Sequence, residues 1–451
     1  MTSNIRELQV EVVSISSLRP YERNARAHSK RQIGKIAASI KEFGWMNPIL
    51  ADASGTVIAG HGRLEAAKLL GLAKVPVIRI SDLSPTQVRA YRLADNRLAE
   101  DAGWDESLLR IELNELIELS SDFEITATGF EMAEVDIILG AADDAGDDDA
   151  SAAEPADAAG QAVSKAGDLW HCGKHRLLCG NALERAAYER LLEGEKADLV
   201  ITDPPYNVKV SSISGKGRRK HDEFVMASGE MSTAAFKDFL STVLALLAAH
   251  TISGALHYIF MSWPHLAELL AAAEAEGFEV KNLVVWDKGS GGMGSLYRSA
   301  HELILLLKHG KGSHTNNVAL GAFGRNRTNM WHYRGANSFG AGRDEALAMH
   351  PTVKPVAMIA DAMLDASPRN GLVLDPFAGS GTVLIAAERT GRRAGAIELD
   401  PKYVDVALRR FRRIIGKEPV HAETGMTFSE MEAAALAAVS PEMPRAAGAV
   451  Q

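Results

Sequence analysis

Cysteine is nearly missing: the 451 residues include only Cys172 and Cys179. Two thiols are too few for a disulfide framework or a four-ligand zinc site, so no metal centre is expected. The start, Met-Thr-Ser-Asn-Ile-Arg, has no apolar signal core, and the expected compartment is reducing and cytoplasmic. A surplus of positive charge is missing as well. The formal net charge of −9 argues against a broadly basic nucleic-acid coat. Seven acids and no Lys or Arg fall between residues 141 and 160 (Asp143, Asp144, Asp147, Asp148, Asp149, Glu154, Asp157), so the remainder is close to neutral and can still present a basic cleft. Long apolar runs are scarce. Phe239 to Phe260 lacks formal charge, but His250, His257 and Ser253-Gly254 break it up, and it reads as a helix, a turn and a buried strand rather than a membrane span.

With 46% apolar residues, a chain of this length can bury two cores, and at least two domains are expected. The boundaries read as a first domain over 1–140, an acidic linker over 141–166, a second domain over 167–417 and a loosely packed tail over 418–451. The linker is rich in Ala, Asp and Gly without an apolar period, which reads as a flexible, self-repelling tether.

In the first domain, Ile33, Ile36, Ala37 and Ile40 space an amphipathic helix over Ser29–Phe43, ending at Gly44. Pro48-Ile49-Leu50 and Val57-Ile58-Ala59 read as strands, and Gly60-His61-Gly62-Arg63 opens a helix over Leu64–Leu70. A small-residue turn at a helix N-terminus favours an anion, and Arg63 can add a guanidinium. The alternative is a tight turn with Arg63 paired to a carboxylate such as Asp95, and both readings stay open.

In the second domain, Ala197–Thr202 is short and β-branched enough for a buried parallel strand. Asp203-Pro204-Pro205-Tyr206 therefore falls at the strand's carboxyl end, where open α/β sheets place their ligands. Two prolines stiffen that loop and hold a carboxylate and an aromatic face at fixed separation. Such a set suits a planar base with an exocyclic amino group. Next comes Lys216-Gly217-Arg218-Arg219-Lys220-His221, read either as a phosphate-contacting loop through Lys216, Arg218, Arg219 and Lys220 or as a solvated surface loop.

Helix and strand patterns then alternate over Thr233–Ala249, Leu256–Met261, Pro264–Glu276, Val280–Trp286 and His301–Lys308, which argues for a doubly wound sheet. Residues 309–349 break the alternation and hold Arg325 and Arg327 among many polar residues; arginine can read base edges bidentately, and the stretch reads either as a nucleic-acid-reading segment or as an ordinary surface loop. A helix over Val356–Ala366 and a strand over Gly371–Leu374 lead to Asp375-Pro376-Phe377-Ala378-Gly379-Ser380-Gly381-Thr382. Gly379 and Gly381 let the backbone approach a ligand closely. Glu398 ends the strand Arg393–Glu398, about 20 residues after the glycines, where an acid can hold both ribose hydroxyls.

Asp203–Tyr206 resembles the catalytic motif of the amino-group DNA methyltransferases, and Asp375–Thr382 resembles their S-adenosylmethionine motif. The catalytic motif comes first, which is the permuted β order of that family. The likeness is to site-specific enzymes of phage and prophage type, as in restriction-modification. Residues 10–120, with Asn24–His28, Gly60–Arg63, Val75–Ile78 and Ala94–Arg97, resemble a ParB-like N-terminal domain. The cysteine that the related sulfiredoxins use in the Gly60–Arg63 loop is absent, so their chemistry is excluded.

The resemblance implies a Rossmann-like S-adenosylmethionine-dependent methyltransferase domain of α/β class, preceded by a small α+β ParB-like domain. It implies S-adenosylmethionine as cofactor, with Asp375, Phe377, Gly379, Gly381, Thr382, Glu398 and Asn181 lining its site and Thr352 and Lys354 near its methionine end. Asn181 departs from the family's usual aspartate, so an altered adenine contact is expected. The implied partner is double-stranded DNA, no membrane is involved, and a homodimer stays open. The implied reaction is methyl transfer to N6 of a flipped adenine, with Asp203 and the Pro204 carbonyl accepting the amino hydrogens. Asp at the first motif position favours adenine. N4-cytosine, an RNA substrate, or a DNA-binding protein with a degenerate methyltransferase domain are the alternatives.

Overall fold

Local sequence signals set the first elements. Ser29 Oγ accepts from the Gln32 amide at 3.1 Å and opens α1 (Lys30–Phe43), and Gly44 stops it with φ +76°. The computed structural model describes residues 8–98, 103–119, 123–139, 162–207, 230–289, 296–321, 325–333 and 353–439. The chain divides into two units, Met1–Leu139 and Gly140–Gln451.

The first unit holds a four-stranded sheet of β1 (Val10–Ser14), β2 (Ile49–Asp52), β3 (Val57–Ala59) and β4 (Lys74–Ile80), in the order β1-β4-β2-β3. Only the β2–β4 pair is parallel. Leu64 and Ala67 of α2 (His61–Leu69) pack with Leu18, Ile49, Ala51, Val57, Val75 and Val77 into one core. After α3 (Pro85–Leu98), the helices α4 (Glu106–Leu119) and α5 (Met132–Ile138) close a second small core around Leu113, Ile125 and Val135. A reciprocal capping box between Glu131 and Glu134 starts α5.

The second unit is built on a ten-stranded sheet. In chain order the elements are β5 (Leu169–Cys172), β6 (His175–Cys179), α6 (Arg185–Leu192), β7 (Ala197–Thr202), α7 (Thr233–His250), β8 (Thr251–Met261), α8 (Leu266–Ala275), β9 (Glu279–Asp287), β10 (His301–Lys308), β11 (Met330–His332), α9 (Val356–Ala366), β12 (Leu372–Asp375), α10 (Thr382–Thr390), β13 (Arg393–Glu398), α11 (Pro401–Ile415), β14 (Val420–His421) and α12 (Phe428–Val439). The strand order is β11-β9-β10-β8-β7-β12-β13-β6-β5-β14. From β8 to β6 all neighbours are parallel. Their apolar runs are buried on both faces, as strands covered by helices must be. One core faces α9, α10 and α11, and another faces α6, α7 and α8.

The order reverses between β7 and β12: the chain moves outward from β7 to β8 and later returns to β12 on its other side. Ligands of open α/β sheets bind in the crevice at such a switch point. Asp203 follows β7 and Asp375 ends β12, so both motifs open on one crevice edge.

The apolar run over 239–260 resolves into α7 and β8, but Ser253-Gly254 lies inside β8 and makes no turn. Helix gives way to strand directly at His250–Thr251. Among the described residues no helix is long and apolar enough to cross a membrane.

The tail differs from the loose segment expected. β14 pairs antiparallel with β5, and Phe428 is fully buried edge-on against Trp170, with ring centroids 5.4 Å apart. Glu432 binds Arg409 at 2.7 Å and Arg412 at 3.0 Å. A sequence rich in Ala and Pro hides this because one aromatic supplies the anchor. Most of the linker lies outside the described residues, but its end is docked: the Val163 and Ser164 amides donate to Asp405 at 2.7 and 3.0 Å. Phe428→Ala should lower the stability of the second unit by about 3 kcal/mol, read as a fall in its thermal unfolding midpoint.

Candidate active site

The carboxyl end of β12 carries the glycine loop. Asp375 accepts from Thr202 Oγ1 at 2.7 Å and from the Phe377 amide at 3.1 Å. Thr202 is the last residue of β7, so this hydrogen bond ties the two motif loops together at their roots. Burial pushes the Asp375 carboxyl up to about 7, against the pull of those two donors. Gly381 has φ +74°, and a Cβ there would lie 2.7 Å from Ala407 Cβ. Only glycine allows α10 to begin in contact with α11. Thr382 Oγ1 is held by Arg410 Nη1 at 2.8 Å, which also donates to Ser380 Oγ at 3.1 Å.

Glu398 ends β13, next in the sheet. Its oxygens accept from the Gly379 amide at 2.8 Å and the Asp400 amide at 2.9 Å, which orient the carboxyl and leave acceptor capacity for hydroxyl donors. Burial raises it to about 7 as well. Asn181 follows β6, one strand further on. Its carbonyl accepts from the Leu183 amide at 3.0 Å and its amide donates to Glu184 at 3.1 Å, so it holds the turn into α6. Asp375, Phe377, Gly379, Gly381, Thr382, Glu398 and Asn181 thus stand along the carboxyl edges of three adjacent parallel strands.

On the β7 side the structure adds partners that sequence reasoning missed. Lys354, just ahead of α9, donates from Nζ to Asp203 Oδ2 at 2.5 Å and lies 3.0 Å from Glu302 Oε1. Glu302 is the second residue of β10, and its other oxygen pairs with Lys288 Nζ at 2.5 Å. The Tyr206 hydroxyl touches both Asp203 Oδ1 and Glu302 Oε1. Around the Lys354 ammonium stand the rings of Phe260 at 5.0 Å and of Tyr206 and Trp286 at 5.9 Å, in cation–π range. Lys354 therefore joins the catalytic-motif cluster through its ammonium, while its carbonyl accepts from Thr382 Oγ1 of the glycine loop at 3.4 Å.

Two carboxylates and two ammoniums make this cluster neutral, the condition on which buried charges survive. Burial pushes the Asp203 carboxyl up; Lys354 opposes the shift and the Glu302 charge adds to it. Glu302 moves the other way: burial opposes its charge, but Lys354 and Lys288 together hold it well below the usual carboxylate range. Burial raises the Tyr206 phenol, helped by both carboxylates. The only sequence signal for Glu302 was a charged residue inside an otherwise apolar strand.

Arg325 and Arg327 are engaged elsewhere. Arg325 binds Asp361 at 2.9 Å and Asp365 at 2.8 Å, and Arg327 binds the same two at 2.8 and 2.7 Å. Both guanidiniums are neutralised on α9, with Tyr333 hydrogen-bonded into the group, a set of partners that the base-reading expectation for these arginines did not include. Asn317 likewise donates to the Leu364 and Ser367 carbonyls at the end of α9. Lys216, Arg218, Arg219, Lys220 and Thr352 lie outside the described residues.

In the first unit, Gly60 caps α2 with φ +96°, and a Cβ on Gly62 would lie 2.9 Å from Ile36 Cδ1. His61 Nε2 accepts from the Tyr21 amide at 3.3 Å, and burial lowers its pKa. Arg63 donates to the Asn47 and Pro48 carbonyls at 2.7 and 3.1 Å rather than forming the ion pair with Asp95 that the sequence suggested.

The raised carboxyl of Asp375 has a consequence for stability. Unfolded, it ionises near 3.8; folded, it keeps its proton to about 7. Its contribution is therefore full at acid pH and is lost as the pH rises through 7. Asp375→Asn, which removes the ionisation, should stabilise the second unit by on the order of 2 kcal/mol at pH 8, and the gain should shrink by half or more at pH 5 in thermal unfolding.

Parts of the chain are similar to known proteins. Residues 197–409 match the model of a DNA methylase family, residues 1–97 that of the ParB N-terminal domain, and residues 107–166 that of a ParB-methyltransferase HTH domain. The ParB-like nuclease domain-containing protein YnaK of Escherichia coli is 46% identical over 18% of this chain and 93% of its own length. The type II methyltransferase M.HpaI of Haemophilus parainfluenzae is 27% identical over 52% of this chain and 73% of its own. Among solved structures, the M1.HpyAVI–SAM complex is similar at 21% identity and a TM-score of 0.39, covering 52% of this chain and 97% of that one. The chain carries a DNA methylase domain of the N6/N4 family, preceded along the sequence by a ParB N-terminal domain and a ParB-methyltransferase HTH domain.

Proposed function

We propose that the second unit transfers the methyl group of S-adenosylmethionine to the N6 amino nitrogen of adenine in double-stranded DNA. The observation that carries this reading is the Thr202–Asp375 hydrogen bond, which holds the Asp203 loop and the glycine loop at adjacent strand ends. The loop suits the cofactor: Gly379 adopts φ +51°, its amide helps orient Glu398 for ribose hydroxyls, and a cationic methionine end would favour the ionised form of the Asp375 carboxyl that burial raises to about 7. When bound, the cofactor supplies a sulfonium methyl to the attacking nitrogen.

The chain's own residues do the rest. An exocyclic amino nitrogen is a poor nucleophile because its lone pair is delocalised into the ring. Asp203 and the Pro204 carbonyl accept its hydrogens and relocalise that pair, Pro205 stiffens the loop, and Tyr206 offers a stacking face. The proton lost from nitrogen leaves through the Asp203 carboxylate to solvent. No cysteine nucleophile is needed; Cys172 and Cys179 are buried, and burial raises both thiols. Adenine rather than cytosine rests on Asp at the first motif position. Asn181 would face the cofactor's adenine, and the cationic loop with Lys216, Arg218, Arg219 and Lys220 would meet DNA phosphates.

Mass spectrometry of nucleosides from DNA incubated with the protein and labelled S-adenosylmethionine tests the reading. Label on N6-methyladenine is expected; label on N4-methylcytosine would keep the mechanism and change the base. Asp203→Ala should lower turnover by about 100-fold or more while cofactor affinity stays within about threefold, and retained turnover in that variant would remove Asp203 from its role.

A further inference from the structure

Asp203 carries a difficulty that the cluster around it resolves. Both of its oxygens are engaged, Oδ2 by Lys354 and Oδ1 by the Tyr206 hydroxyl. An incoming amino group needs one of those positions. Releasing a buried hydroxyl or ammonium with nothing else to bind would leave a desolvated donor unsatisfied, which is costly.

Glu302 supplies the second acceptor for both. The Tyr206 hydroxyl already touches Glu302 Oε1, and Lys354 Nζ lies 3.0 Å from the same oxygen. A phenol has one hydrogen and can donate to only one carboxylate at a time. The side chain of Glu302 is 7% exposed and its other oxygen is fixed by Lys288, so it stays in place while the partners redistribute. Within the reading proposed above, on which this step rests, we infer that Glu302 is a positioning residue: it takes over the Tyr206 hydroxyl and the Lys354 ammonium so that Asp203 can turn an oxygen to the substrate amino group.

The contacts that Tyr206 and Lys354 make to Glu302 join β10, the loop after β7 and the segment before α9, so no local motif contains them. The charged and titratable groups facing Glu302 are Asp203 and Tyr206 from the β7 loop, Lys288 after β9 and Lys354 before α9; Asp375 on β12 stands behind Asp203. Removing the Glu302 charge should act on Asp203 in two ways with one sign. A neighbouring negative charge disappears, and Lys354 becomes the partner of Asp203 alone. Both favour the ionised Asp203 carboxylate, yet both leave it blocked.

The test uses the full chain, labelled S-adenosylmethionine and plasmid DNA amplified in vitro so that it carries no methylation. Glu302→Gln should lower kcat by about tenfold or more, leave the cofactor Kd within about threefold, and move the acid limb of the kcat/KM profile to lower pH. Glu302→Asp, which keeps the charge, should recover part of kcat. Lys288→Gln leaves Glu302 less neutralised and should move the acid limb the opposite way, to higher pH. A loss of kcat with an unmoved acid limb in both the Glu302→Gln and Lys288→Gln variants would reduce Glu302 to a structural role and overturn the inference. Unchanged kcat in Glu302→Gln, with the unsubstituted chain active, would overturn it alone. No transfer by the unsubstituted chain would overturn it together with the reading beneath it.

Discussion

The parallel pairing of β7 with β12 is the constraint on which the methylase unit depends. Val373 lies opposite Leu199 and Leu374 opposite Val200, so the two strands end level with each other. Their carboxyl ends then present Asp203 and Asp375 at one edge, with the chain leaving in opposite directions across the sheet. Parallel neighbours of this kind require crossover helices, and those helices bury both sheet faces. The crevice at the edge is the one place where polar side chains can cluster without breaking either core.

That clustering follows a rule of charge balance. Asp203, Glu302, Lys354 and Lys288 lie in a region walled by Phe260, Trp286 and Tyr206, where an unpaired charge would be costly. Glu302 enters the group because β10 lies antiparallel to both β8 and β9, with Glu302 opposite Trp286. Lys354 enters because α9 starts beside the same edge. A neutral cluster is stable at rest, and it can redistribute its hydrogen bonds without creating a net buried charge.

The same rule works against reading positive charge as a nucleic-acid footprint. Arg325 and Arg327 sit in a polar stretch that resembles a recognition segment, but Asp361 and Asp365 on α9 neutralise them. Four positions apart on a helix, the two aspartates share a face and form a fork for both guanidiniums. These pairs tie the segment before β11 to α9. In the first unit Arg63 is likewise spent on the Asn47 and Pro48 carbonyls.

Much of the fold was legible in the sequence. The periods of α1, α9 and β13, the apolar runs of β7 and β12, and the placement of Asp203–Tyr206 and Asp375–Thr382 at strand ends all follow from signals confined to a few residues. Helix capping, strand alternation and glycine loops are local physics, so a linear reading finds them. The sequence did not disclose which strand neighbours which, and every missed contact depends on that. Tyr206 meets Glu302 across 96 positions, and Asp203 meets Lys354 across 151. The anchoring of the tail by Phe428 on Trp170 is of the same kind. The sequence by itself determined the elements and the two motifs; tertiary structure alone decided the charge partners, because a buried ion pair is selected by sheet order and by the need for neutrality, and neither has a period along the chain.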